Sequence, residues 1–228
     1  LHALPENSPI RAQIAQVHEA AEHAAALTRQ LLAFGRQQVL EPRDLDLNQE
    51  LRSFERMFRR LVREDIEIRL ELDPAIGKVR ADPSQMQRVL MNLGMNAVDA
   101  MRESGCVSFE TRRGALRAGD GANTVGKRNG DPEQRSIPGV VLRVHDTGHG
   151  MDENTLQRLF DPFFSTKPSG KGTGLGLPTV YGIVKQHEGE LSVQSRLGLG
   201  TTFEIVLPVV EGPAAKQANA APPCTEAS

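Results

Sequence analysis

Residues Lys171 to Leu177 read K-G-T-G-L-G-L and run directly into P-T-V-Y-G-I-V-K-Q. Gly172, Gly174 and Gly176, with Thr173, Leu175 and Leu177 between and after them, leave a loop of little side-chain bulk whose backbone N–H groups can close on an anion. Pro178 to Gln186 predicts a helix, with Val180, Ile183 and Val184 as its apolar stripe. A glycine loop feeding a helix N-terminus favours negative charge, through unpaired amides and through the macrodipole. An ordinary flexible turn has the same composition, so this run takes its weight from the rest of the chain.

Two other stretches supply that weight. Val89 to Met101 reads V-L-M-N-L-G-M-N-A-V-D-A-M. Asn92, Asn96 and Asp99 fall at i, i+4 and i+7 and point to one side, while Met86, Leu90, Leu93, Ala97 and Met101 form a core stripe. A polar line on an otherwise apolar helix suits a cavity wall. Its oxygen atoms suit Mg²⁺, which keeps several waters and bridges nucleotide phosphates with one or two protein groups. Asp146 to Asp152 reads D-T-G-H-G-M-D and follows the strand-like Val140 to Val144. A carboxylate at the end of a buried strand can accept a hydrogen bond from the exocyclic amine of adenine, where guanine presents an acceptor.

The order N-L-x-x-N-A-x-D-A, D-x-G-x-G, G-x-G-x-G-L and G-T-x-F, over roughly residues 45–208, resembles the nucleotide-binding domain of sensor histidine kinases. That domain belongs to the superfamily shared with type II topoisomerases, mismatch-repair ATPases and a heat-shock chaperone. The resemblance implies ATP and Mg²⁺ as cofactors. It places Asp146, Gly148 and Gly150 at the adenine, with Thr201 completing that contact. Asn92 and Asn96 then face the phosphates as catalytic residues, and Asn96 ligates Mg²⁺. The run Gly172, Thr173, Gly174, Leu175, Gly176 and Leu177 offers its amides to the phosphates, while Lys167 or Lys171 neutralises charge. In the superfamily's ATP hydrolases a glutamate four residues before the magnesium asparagine prepares the attacking water. Here that position is Asn92, and an amide is no effective general base. The departure favours a kinase, in which a histidine imidazole attacks the γ-phosphate and the phosphoryl group passes to an aspartate of a response-regulator receiver domain. The rival is a non-catalytic module in which ATP is a conformational ligand; phosphotransfer to a supplied histidine separates the two.

The elements that must position these groups follow from pattern. From Ile10 to about Leu40, apolar residues recur at three- and four-residue steps, predicting one long amphipathic helix. Its A-A-A-L-T-R-Q-L-L-A-F-G-R-Q-Q resembles the second helix of the histidine kinase dimerisation hairpin, which implies a homodimer. His18, in H-E-A-A-E-H, reads as a solvent-facing helix residue like His23, and the phosphoacceptor is expected on an upstream helix outside this sequence. Asn48 is a candidate cap for a helix over about 49–63, with Leu51, Phe54, Met57, Phe58 and Leu61 buried. Strands are predicted at 66–72, 79–81, 106–111, 140–145, 190–195 and 202–207. Asp82-Pro83-Ser84-Gln85 starts the asparagine helix. Residues 112–138 read as a flexible insertion. Phe160 to Lys167 suits a hinged loop over the site, or a plain surface loop with buried phenylalanines. The fold expected is a two-layer α/β sandwich, a mixed sheet with helices on one face, preceded by the long helix. Its divisions are 1–43, a partial dimerisation helix; 44–210, the ATP-binding domain; and 211–228, an Ala- and Pro-rich tail.

Composition excludes several classes. The chain has 228 residues, a formal charge of −2 and 39% hydrophobic residues, an ordinary soluble globular balance. No basic excess points to nucleic acid. Cys106 and Cys224 are far apart, which argues against a disulfide framework or cysteine metal site. No apolar run approaches 18 residues, so no membrane contact is expected within these residues, and a cytoplasmic setting is.

Overall fold

A sheet whose strands alternate apolar and charged residues can be covered on one face only. The computed structural model describes residues 40–101, 103–117, 136–167 and 172–210. The helix expected from Ile10, with His18 and His23, and also Lys171 and the tail 211–228, lie outside those residues. In order come β1 (Arg43–Leu45), α1 (Leu47–Phe58), β2 (Ile66–Leu72), β3 (Val79–Ala81), α2 (Pro83–Ala100), β4 (Gly105–Arg117) and β5 (Ser136–Asp146). After these come α3 (Glu153–Arg158), α4 (Gly176–Gln186), β6 (Glu190–Arg196) and β7 (Gly200–Pro208). The main sheet has the order β2-β4-β5-β7-β6, with β2 and β4 parallel and the other pairs antiparallel. β1 and β3 form a separate antiparallel pair.

The sheet is mixed, as expected. Its inner residues, among them Ile68, Val107, Phe109, Leu142, Val144, Phe203 and Ile205, join one core cluster with Phe54 and Phe58 of α1, Leu90 and Leu93 of α2, and Val180 and Val184 of α4. Phe54, Phe58 and Phe109 meet ring to ring at 4.9–6.2 Å. The opposite face carries a charged ladder: Arg143 donates to Glu110 and Glu204, and Arg112 also reaches Glu204 at 2.8 Å. No helix among the described residues is long and apolar enough to cross a membrane.

Three expectations are corrected. Asp46, not Asn48, caps α1, accepting from the amides of Asn48 and Gln49. Asn48 is buried inside the helix; its Nδ2 donates to the Asp73 carbonyl and its Oδ1 accepts from the Thr111 hydroxyl. Met57 is exposed within α1, off the buried stripe of Leu51, Phe54 and Phe58, and Leu61 is exposed beyond the helix, which stops at Phe58. The insertion is shorter than 112–138: β4 runs to Arg117 and β5 starts at Ser136, paired without a break from Val107↔Asp146 to Arg117↔Ser136.

Asp82 anchors α2. Its Oδ1 accepts from the Ser84 and Gln85 amides and the Ser84 hydroxyl, and its Oδ2 from the Glu41 amide. Burial pushes its pKa up, but these hydrogen bonds together win and hold it below the ordinary 3.8. Its own N–H donates at 3.0 Å to Nε2 of the buried His187, whose Nδ1–H donates to the Ile183 carbonyl. We expect Asp82→Ala to lower unfolding free energy by about 1–2 kcal/mol, the usual range for a lost cap. A carboxylate with a depressed folded pKa contributes above its unfolded pKa and loses that contribution as pH falls through the folded value. Urea melts should therefore show the full difference between parent and variant at pH 7 and pH 5, and a smaller one below about pH 4. A difference independent of pH would mean that the charge is not what caps the helix.

Candidate nucleotide-binding site

One row of cross-strand neighbours explains how a polar site opens in an apolar sheet. Along the inner face, Ile68 pairs with Val107, Val107 with Asp146, Asp146 with Thr201, and Thr201 with Ser195. The row is apolar at one end and polar at the other. Asp146, 4% exposed, accepts from the Gly148 amide at 2.8 Å. Burial raises its pKa above the ordinary 3.8, and the amides of Gly148 and Thr201 pull it part of the way back. Ser195 Oγ lies 2.9 Å from the buried Thr201 hydroxyl and accepts from the Met151 amide at 2.8 Å, tying the loop after β5 to the β6–β7 hairpin. Gly150 has φ +67°, and a Cβ there would collide with the Arg196 carbonyl, so only glycine fits. Gly148 packs against Ala100, and the His149 amide donates to the Ala100 carbonyl, seating this loop on the end of α2.

The second wall is α2. Asn92, Asn96 and Asp99 all line a cavity of about 630 Å³, together with Asp146, Gly150, Thr201 and the loop ahead of α4. That size suits a mononucleotide. Asn92 Nδ2 donates to the Arg88 carbonyl, which leaves Oδ1 facing α4, 3.0 Å from where a Cβ on Gly176 would lie. Lys167 Nζ donates to Asn96 Oδ1 at 3.2 Å and to Asp99 Oδ2 at 2.6 Å. A cation already seated on these oxygens shows that the donor set attracts positive charge. No group of three or more His, Cys, Asp or Glu side chains could cage a metal among the described residues. The oxygens of Asn96 and Asp99 suit a hard cation such as Mg²⁺, which keeps several waters and needs only one or two protein ligands.

The third wall is the start of α4. Leu175 occupies the N-cap position and supplies no side-chain hydrogen bond to the first turn, so its amides are left for another acceptor. Gly174 has φ +64°, and its carbonyl accepts from the Phe163 amide at 3.0 Å, closing the neck of the loop between α3 and α4. Phe163 is itself at φ 69° and 54% exposed, while Phe160 packs on Tyr181 at 5.5 Å and Arg158 lies over Phe164 at 4.4 Å. Gly172 and Thr173 line the cavity, as does Leu177. Leu175 is buried behind them.

The family model of the histidine kinase-, DNA gyrase B- and HSP90-like ATPases matches residues 81–211. This chain belongs to that ATPase family. Within it, the chain carries the ATP-binding catalytic domain of the sensor histidine kinases. It is 42% identical over 205 residues to the sensor kinase CckA of Brucella abortus (strain 2308), covering 89% of this chain and 21% of that protein. It is 32% identical over 190 residues to the sensor histidine kinase ZraS of Klebsiella oxytoca, covering 83% and 36%. The chain thus spans between a fifth and two fifths of these relatives. Among solved structures, the mycobacterial sensor histidine kinase MprB superposes with TM-score 0.54 at 27% identity, over 75% of this chain and 98% of that one. The catalytic domain of the histidine kinase ThkA superposes with TM-score 0.56 at 26% identity, over 74% and 96%.

Of the expected site residues that are described, all but Gly148 and Leu175 line this cavity, and Lys171 lies outside the described residues. Sequence reading missed Ser195, an unremarkable strand serine whose partners Met151 and Thr201 are far along the chain or across a hairpin. It also left Asp99 without a role, although the spacing had placed it on the correct helix side. We expect Asp146→Asn to weaken ATP binding about tenfold or more, the worth of a charge-assisted hydrogen bond, without lowering the melting temperature, since it removes a buried charge. Ionised Asp146 is the form that accepts from the amine. Affinity should therefore decline as pH falls through the raised pKa, starting above the ordinary 3.8. Titrating ADP against both proteins from pH 7.5 to 4.5 checks this, because the nucleotide's own ionisation is common to both. Equal affinities at pH 7.5 would remove Asp146 from base recognition.

Proposed function

We propose that this chain is the ATP-binding kinase domain of a two-component sensor kinase that phosphorylates a histidine and passes the phosphoryl group to a receiver-domain aspartate. The observation that carries the reading is Asn92. Its carboxamide oxygen faces the first turn of α4, at the position where a hydrolase would hold a glutamate. A neutral amide cannot take a proton from water, so the γ-phosphate is kept for a stronger nucleophile. Asp146, with Gly148 and Gly150 giving close approach, holds adenine, and the Thr201 hydroxyl completes the contact. The amides of Gly172 to Leu177 hold phosphates at the α4 N-terminus, with Lys167 and Lys171 as candidate cations. Asn96 would hold Mg²⁺, which would neutralise charge developing on the phosphates. The residues themselves act by positioning and electrostatics and form no covalent bond.

On this reading residues 1–43 form half of a dimerisation hairpin, 44–210 the kinase domain and 211–228 a linker. The parent protein is a homodimer that meets ATP and a response-regulator receiver domain, in a cytoplasmic setting. Curated relatives named as sensor kinases support this.

The deciding experiment incubates the chain with Mg²⁺ and γ-labelled ATP, alone and with a hairpin helix carrying the acceptor histidine. We expect acid-labile label on the added helix and none on the chain itself. Label lost in His18→Ala would make His18 the acceptor. Tight ATP binding with no transfer to any supplied histidine would favour a conformational nucleotide switch. A companion titration tests the metal: Asn96→Ala should abolish the Mg²⁺ dependence of ATP binding with the fold unchanged by circular dichroism. Matching magnesium curves in parent and variant would take the metal off Asn96.

A further inference from the structure

We infer that Lys167 and Mg²⁺ are alternative occupants of one oxygen position on α2, and that Asp99 is the residue that positions Lys167 there. The inference rests on the reading of this cavity as a Mg²⁺–nucleotide site and adds a competition within it. Asn96 and Asp99 are three residues apart on α2 and so share a helix face. The ammonium of Lys167 bridges them, at 3.2 Å from Asn96 Oδ1 and 2.6 Å from Asp99 Oδ2. The shorter contact is to the carboxylate, with the side chains of Lys167 and Asp99 33% and 43% exposed. The neutral Asn96 supplies an oxygen but no charge, so Asp99 is what draws the ammonium over Asn96.

An ammonium and a divalent ion cannot sit together on one carboxamide oxygen. Only a few ångströms would separate like charges in a partly buried site. Metal arriving at Asn96 therefore displaces Lys167, and the displaced ammonium is freed for the phosphates. Asp99 stays beside Asn96 with its charge released. Lys167 thus works against metal binding before it can work for phosphate binding, and more Mg²⁺ should be needed to half-saturate nucleotide binding because of it.

The test measures the Mg²⁺ concentration that half-saturates ADP binding in the parent, Lys167→Met and Lys167→Arg. ADP is used because it carries one phosphate fewer for a displaced Lys167 to meet. Removing the competing cation should lower the half-saturating Mg²⁺ about two- to fivefold, the worth of a partly exposed ion pair. Lys167→Arg, which keeps a cation, should stay near the parent. A second readout follows Asp99 without nucleotide: trace acetylation, quantified by mass spectrometry, should label Lys167 more strongly in Asp99→Asn, with Lys78 and Lys185 unchanged as references. A half-saturation unchanged or raised in Lys167→Met, an Arg variant that behaves like Met, or Lys167 labelling indifferent to Asp99 would each overturn the inference. ADP binding in EDTA reports the adenine end separately. If ADP fails to bind with or without metal, the nucleotide reading fails and takes this one with it. If ADP binds and only the magnesium shift is missing, this inference alone fails.

Discussion

The hydrogen bond from the Asp82 amide to His187 Nε2 sets the register on which the Asn92–Gly176 end of the cavity depends. It ties the start of α2 to the end of α4, so the two helices extend side by side from this point with opposite chain sense. From Asp82 to Asn92, and from His187 back to Gly176, each advances about 15–17 Å at ~1.5 Å per residue. Two equal lengths from one pin bring Asn92 opposite Gly176, where the Asn92 oxygen closes to 3.0 Å of the place a Cβ would take. The pin is a single bond, worth about 1 kcal/mol net. Apolar contact among Val89, Leu93, Val180 and Val184 holds the helices together, and the bond selects which residues meet. It also dictates the histidine's chemistry. Nε2 must be bare to accept from an amide, so the proton lies on Nδ1, where the Ile183 carbonyl receives it.

The Asp146 end of the cavity is organised by a different constraint, a carboxylate placed inside an apolar layer. Ionised Asp146 is costly to bury, and its raised pKa records that cost. Two backbone amides offset part of it, and the close approach of the neighbouring loops leaves no room for side chains that might offset more. Gly200 shows this best. Its φ is +83°, and a Cβ would run into the Asp146 carbonyl. Asp146 is therefore a buried carboxylate at the edge of the cavity, and on the proposed reading an amine donor from the ligand would join the two amides it already accepts from. Stability given up at a residue like this is expected at a binding site and would be hard to account for in a purely structural one.

What could be seen in the sequence, and what could not, divides along contact range. The asparagine helix was legible because its signals are local: Asp82 and Pro83 at the start, and a period that separates Met86, Leu90 and Leu93 from Asn92, Asn96 and Asp99. The central strand and the hairpin were legible for the same reason, through the apolar run Val140–Val144 and the glycines near Leu197. Asn48 was misread because Asp46 and Asn48 are both cap-type residues. What separates them is a pair of hydrogen bonds to Asp73 and Thr111, partners that no local window contains. The far halves of β4 and β5 were misread because Gly114 and Pro138 interrupt the pattern, while the ladder that carries the strands through them is a pairing between segments. Leu61 kept the apolar period after the helix that would have buried it had stopped, while Met57, inside α1, sits beside the buried stripe of Leu51, Phe54 and Phe58 and not on it.

The charges lining the cavity argue for how phosphate must be held. Among the described residues they are the carboxylates of Asp99 and Asp146 against the single ammonium of Lys167, with His149 the remaining titratable group. A nucleotide triphosphate brings about four negative charges near neutral pH, and no arginine fork waits for them here. The described side chains carry no net positive charge toward such a ligand, so on the proposed reading uncharged groups and a bound metal would supply much of the attraction beside Lys167 and Lys171. The uncapped first turn of α4 provides the former, with oriented amides that need not titrate or reorganise. That division also suits the chemistry proposed. Amides and a divalent ion stabilise charge wherever it moves along the phosphate chain. A site dense in arginine would bind the ground state tightly whether or not the acceptor was in place. Differential stabilisation is what raises a rate, and a cavity poor in fixed cations leaves more of it to be completed by the partner that brings the nucleophile.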